Sequence, residues 1–163
     1  MNLTRRLVFG RDPRRTAVRI LVLASVSLIT FRWVLLPIRA EGISMLPTYQ
    51  SGSLNVVNRL AYSSRTPSRG DVVAIRLAGP HLVYVKRIIA LPGERLSIAK
   101  GQVHVNGVPI LEPYVKNRRP WDVPEVTLTP REYFVIGDNR GMRAADHDFG
   151  RVDVSRIIGK VVF

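Results

Sequence analysis

Between Ile20 and Phe31 no charged residue occurs, and the wider window 17–36 carries only Arg19 near one end and Arg32 near the other. Twenty helical residues rise about 30 Å, the thickness of the hydrocarbon core of a bilayer. The sequence therefore predicts one transmembrane helix over residues 17–36, behind a basic leader at residues 1–16. Arg32 can reach the interface through its long side chain, where Trp33 is also suited to sit, and Pro37 is expected to stop the helix. Six arginines precede the apolar core, whereas only Arg32 and Arg39 follow closely. This bias predicts a cytoplasmic N-terminus and an extracytoplasmic domain over 37–163, held in the cell membrane by a single pass. A cleavable leader ending at Ala40 is the competing reading. Against it, Ile38 is a poor substitute for the small residue such a site needs, and the basic leader is long.

The positive charge is concentrated in the same place. Lys and Arg number 25 against 12 Asp and Glu, a net charge of +13, yet eight of the arginines and only one acid, Asp12, lie before Ala40. A basic block beside an apolar stretch reads as membrane topology rather than nucleic-acid recognition, so the bilayer is an expected partner and nucleic acid is not. The chain has no cysteine and only three histidines, His81, His104 and His147. That excludes disulfide scaffolds, thiolate zinc sites and a cysteine nucleophile, and disfavours a multi-histidine metal cage. No metal or other cofactor is expected.

Beyond the apolar segment, short β-prone runs alternate with turn residues, at 54–58, 71–77, 81–90, 95–98, 102–105, 132–136 and 157–162. Such runs at close spacing predict a mostly β domain built as a barrel or folded sheet. Lys100-Gly101 is expected to join two of the strands, and Asn106-Gly107 is a strong turn signal. Residues 62–70 read as a loop. Residues 112–130, with Pro113, Pro120, Pro124 and Pro130, read as an irregular excursion rather than a second domain.

Two residues invite a chemical reading. Ser44 lies in Gly42-Ile43-Ser44-Met45-Leu46-Pro47-Thr48, just past the apolar segment; taken alone, it is a turn serine. Lys86 lies among Val83, Val85, Ile88 and Ile89, and strand alternation sets it on the face opposite Val83, Val85 and Arg87. Facing solvent, it would be an ordinary charged lysine. Covered by the serine loop and apolar residues, its ammonium would be desolvated and its pKa would fall from about 10.4 to roughly 7–8. Only then could it act as a base toward a serine hydroxyl, with no histidine required.

Four segments in order, behind an N-terminal anchor, resemble the motif boxes of type I signal peptidases, the membrane-anchored Ser-Lys endopeptidases that remove signal peptides from exported preproteins. They are Ser44-Met45-Leu46-Pro47-Thr48, Gly70-Asp71-Val72-Val73, Lys86-Arg87-Ile88-Ile89-Ala90-Leu91-Pro92-Gly93-Glu94 and Gly137-Asp138-Asn139-Arg140. The resemblance implies a signal-peptidase-like folded β domain. It also implies that Ser44 is the nucleophile, with its backbone N–H an oxyanion donor, and that Lys86 is the general base. A signal peptide would lie extended between residues 83–85 and 40–42, with Gly42, Met45, Ala74, Val83 and Val85 around the small residues at its −1 and −3 positions. Arg87, Asp138 and Asn139 are the implied supporting residues, and Asp146 is a further candidate from outside the matching boxes.

Two positions depart from that pattern. Gly42 stands where some bacterial members have a serine that completes the oxyanion hole. Arg143 stands where the family usually has a serine contacting the catalytic lysine, in a run that reads Arg143-Ala144-Ala145-Asp146-His147-Asp148-Phe149-Gly150. Either this run is a polar surface turn, or it is rebuilt so that Asp146 or His147 approaches the dyad while Asp146 or Asp148 pairs with Arg87. A specialised pilin- or conjugation-type processing peptidase is an alternative reading. An inactive membrane-tethered peptide-binding relative is another, against which the retention of both Ser44 and Lys86 argues.

Overall fold

The computed structural model describes residues 12–76 and 83–162. The leader up to residue 11, and Leu77, His81 and Leu82 at the ends of two expected strands, lie outside the described residues. The chain divides into two compact units, Met1–Leu36 and Pro37–Phe163.

In the first unit, helix α1 spans Pro13–Ile29. Asp12 caps it, its carboxylate accepting from the Arg14 N–H at 3.0 Å, and the proline in the first turn needs no hydrogen-bond donor there. The helix therefore begins four residues earlier than expected. It runs into a π-helical turn, Thr30–Val34, and ends where Leu35 becomes extended. Residues 35 and 36, expected to be helical, instead open strand β1, Leu35–Arg39. Pro37 consequently lies on an edge strand, where its missing N–H costs no ladder bond. The span Arg14–Val34 is long and apolar enough to cross a membrane, and none of it is buried. Leu21, Leu23 and Leu28 are all exposed, as in a helix whose surroundings are themselves apolar.

The second unit is mostly β, as expected. Its strands are β2 Leu54–Asn58, β3 Val72–Arg76, β4 Val83–Ala90, β5 Arg95–Ala99, β6 Gln102–Val105, β7 Val108–Pro109, β8 Val123–Thr127, β9 Glu132–Ile136, β10 Gly150–Asp153 and β11 Ile157–Val161. They form a seven-stranded sheet in the order β1-β2-β11-β3-β4-β9-β10 and a four-stranded sheet in the order β7-β6-β5-β8. The two-residue turns foreseen at Lys100-Gly101 and Asn106-Gly107 join β5 to β6 and β6 to β7. All four residues have positive φ, the geometry that matches the twist of a tight hairpin.

The stretch 112–130 is less irregular than its prolines suggested, because it contains β8. Val126 pairs with Leu96 and Val123 with Ile98 of β5, and Pro124 is tolerated because β8 is an edge strand. Strand β10 was likewise not foreseen.

Two apolar clusters hold this unit together. One joins the sheets through Ile89, Leu96, Ile98, Val103, Phe134, Ile136 and Trp121. The other gathers Val73, Ile75, Ile88, Tyr133, Val135 and Val152 of the large sheet. Strand β4 contributes Ile89 to the first cluster and Ile88 to the second, so its C-terminal half is buried on both faces. Its N-terminal half differs. Strand β3 pairs with β4 over Val83–Arg87, but β9 pairs with it only from Arg87 onward, leaving one edge at residues 83–86 open.

Candidate active site

Strand β4 delivers Lys86 to a nearly enclosed position with 3% of its surface exposed. There its Nζ donates to Ser44 Oγ at 3.1 Å. The serine sits in a tight turn in which the Leu46 N–H donates to the Ile43 carbonyl and the Tyr49 N–H to that of Met45. Asn139 grips this turn twice, through its backbone N–H to the Ser44 carbonyl at 3.0 Å and its Nδ2 to the Ile43 carbonyl at 3.0 Å. Gly137 is required by close approach, since a Cβ there would strike the Ser44 carbonyl oxygen and the His147 ring.

Burial lowers the Lys86 pKa to about 8, against the opposing pull of the Asp148 carboxylate. This is the desolvation that a lysine base needs. His147 is lowered to about 4, first by burial and then by the positive charges of Lys86 and Arg140, so it is neutral at physiological pH. Its ring lies edge-on to Trp121 at 5.1 Å, and neither ring nitrogen has a hydrogen-bond partner among the described residues.

The divergent loop is arranged differently from the expectation at Arg143 and Asp146. A short 3-10 turn over Ala144–Asp146 brings these two side chains together on the exposed surface, with Arg143 Nε to Asp146 Oδ2 at 2.7 Å and a second bond at 3.0 Å. Asp146 therefore does not approach the dyad, and Arg143 does not take the place of the lysine-contacting serine. The same turn sends His147 and Phe149 inward against Trp121.

Nor does Arg87 pair with Asp146 or Asp148. It forks onto Asp138, with Nε to Oδ1 at 2.8 Å and a terminal nitrogen to Oδ2 at 2.6 Å. It also donates to the Gly70 carbonyl at 2.7 Å and stacks over Tyr114. Thr48 Oγ1 donates to the same Asp138 carboxylate, which thus ties the serine turn, β4 and the last motif box together. Asp71 serves elsewhere, accepting from Lys160 at 2.6 Å and from Tyr62 at 3.1 Å.

Sequence reasoning missed how residues 112–121 wrap the last box. Glu112 is buried and pairs with the equally buried Arg140, whose Nε donates to the Gly137 carbonyl at 3.0 Å. Trp121 Nε1 donates to the Met142 carbonyl at 2.9 Å. No local pattern announces the pairing of Glu112 with Arg140 or of Trp121 with Met142, because these partners lie 28 and 21 residues apart.

A cleft of about 490 Å³ opens at Ser44, lined by Gly42, Met45, Val83 and Val85, and also by Tyr49 and Tyr84, which were not foreseen. Ala74 is not part of its wall. It is fully buried on β3, between Val85 of β4 and Gly159 of β11, and its one methyl does not reach the cleft. The open edge of β4 faces this space.

A family model described as "Signal peptidase, peptidase S26" matches residues 14–163. Signal peptidase I V of Bacillus subtilis (strain 168) is 33% identical over 143 residues, covering 78% of this chain and 84% of that protein. Signal peptidase I of Bacillus caldolyticus is 36% identical over 137 residues, covering 76% of this chain and 75% of its own length. A crystal structure of a signal peptidase I from Enterococcus faecalis V583 matches at 26% identity with a TM-score of 0.49, covering 60% of this chain and 98% of that one. A match that begins within the apolar helix and runs through the serine turn, the lysine strand and the wrapped last box means that the chain belongs to the signal peptidase family, peptidase S26.

Proposed function

We propose that this chain is a membrane-anchored serine endopeptidase that cleaves signal peptides from exported preproteins, with Ser44 as nucleophile and Lys86 as general base. The observation that carries the reading is the 3.1 Å hydrogen bond between Ser44 Oγ and a lysine whose ammonium is largely removed from water. With a pKa of about 8, Lys86 is neutral often enough near physiological pH to accept a proton.

The substrate adds to the open edge of β4 at residues 83–86 as an extended strand, using main-chain hydrogen bonds for affinity. Its small −1 and −3 residues lie against Met45, Val83 and Val85. As Ser44 Oγ attacks the scissile carbonyl carbon, Lys86 takes the hydroxyl proton, and the Ser44 backbone N–H donates to the developing oxyanion. The C–N bond then breaks as the Lys86 ammonium returns that proton to the leaving amine, leaving the signal peptide esterified to Ser44. A water, deprotonated by the again neutral lysine, attacks the ester carbonyl. The Lys86 ammonium returns that proton to Ser44 Oγ as the ester C–O bond breaks, and the signal peptide departs with a new carboxyl group that gives up its own proton to solvent. Asp138 and Asn139 hold the serine turn in register with the lysine and do no chemistry. The helix holds the enzyme in the cell membrane with its N-terminus in the cytoplasm, a reading supported by the arginine bias.

Incubating the purified full-length protein with a preprotein carrying an Ala-x-Ala junction tests this directly. Cleavage after the second alanine is expected. Undiminished cleavage by Ser44→Ala would exclude the mechanism.

A further inference from the structure

A second cavity, of about 230 Å³, lies beside the dyad and is distinct from the cleft. Ile75, Val135 and Val152 form its floor, and Tyr84, Lys86 and Asp148 stand around them. It exceeds the roughly 150 Å³ that accommodates a benzene ring in an engineered protein cavity, so one amino-acid side chain fits. Tyr84 lines both spaces and forms the wall between them. Ser44 lines the cleft and Lys86 lines the cavity, although their reacting atoms are 3.1 Å apart.

The chemistry fixes which part of a substrate lies on which side. The acyl half of the scissile bond ends on Ser44 Oγ, on the cleft side. The leaving nitrogen must receive its proton from Lys86 Nζ, so the residue bearing that nitrogen lies on the lysine side, where the cavity begins. We propose that this cavity receives the side chain of the residue immediately after the scissile bond, and that Asp148 at its mouth favours a basic residue there over an acidic one. The inference rests on the peptidase reading. Asp148 is exposed and makes no salt bridge among the described residues, whereas Arg151, the other charge on the rim, lies 4.0 Å from Glu132. Asp148 is thus the one acid in this lining, and it is in no ion pair among the described residues.

The test uses three peptides identical up to an Ala-x-Ala junction and differing only in Lys, Ala or Glu at the position after it. Each is cleaved by the full-length wild-type protein, Asp148→Asn and Asp148→Lys, and kcat/KM is measured. Asp148 also acts on Lys86, but that effect is common to all peptides and cancels in the ratio between them on one enzyme. The wild type should prefer Lys to Glu by about three- to fivefold, the scale of an exposed charge pair. The ratio should fall close to one in Asp148→Asn and invert in Asp148→Lys. Cleavage with the same ratio in all three proteins would overturn the subsite while leaving the peptidase reading intact. Failure of the wild type to cleave any peptide would overturn both.

Discussion

Lys86 retains 3% of its surface and a pKa of about 8, whereas a lysine in an unfolded chain titrates near 10.4. Between those values the unfolded chain binds a proton that the folded one has released, so stability rises with pH across the window. Below pH 8 the full penalty is present, about 3 kcal/mol for a depression of this size. Lys86→Met should therefore be more stable than the wild type by up to about 3 kcal/mol at pH 7, with the advantage fading by pH 11. Denaturant unfolding at the two pH values checks this, and equal stability at pH 7 would contradict the desolvation. The same depression governs activity. The kcat/KM profile should climb with pH through a midpoint near 8, as the lysine loses its proton. Asp148→Asn removes the carboxylate that holds the pKa up, so it should move that limb to lower pH, whereas Asp146→Ala should leave it in place because Asp146 is engaged by Arg143. Ser44→Ala, Lys86→Ala and Lys86→Arg should each abolish turnover, and the double alanine variant should be no worse than either single one.

Between elements, the decisive contacts are buried ion pairs. Asp138 is 1% exposed and Arg87 12%, so removing the carboxylate strands a guanidinium with little access to water. Asp138→Ala should destabilise the protein by about 3–5 kcal/mol, measurable by denaturant titration, and the cost of Asp138→Ala with Arg87→Met should fall well short of the sum of the singles. A loss below about 1 kcal/mol would mean that solvent reaches Arg87. At this scale the sequence was unevenly legible. Strands β2, β6 and β9 were visible as short β-prone runs bounded by turn residues, and the hairpin turns in Lys100-Gly101 and Asn106-Gly107, because positive φ is a local demand. Strand β8 was hidden because its reason to be extended is its partner β5. Ser44 and Lys86 could be singled out from their motif boxes, yet the bond between Arg87 and Asp138 could not, because Asp146 or Asp148, beyond the last box, was the expected partner and only the turn of the loop turns Asp146 away toward Arg143.

For the whole molecule, the arginine bias makes a topological prediction. Protease added to intact spheroplasts should reach residues 37–163 and leave a tag ahead of residue 12 protected; the opposite pattern would invert the orientation. The large sheet carries a further consequence. Its serine side is β1 and β2, which flank the turn bearing Ser44, and its lysine side is β3 and β4. These two halves are bridged by β11, five residues that come last among the described strands. Shortening β11 should therefore loosen the join between the two halves, leaving the Asp138 carboxylate, held by both Thr48 and Arg87, to keep the serine turn beside the lysine strand.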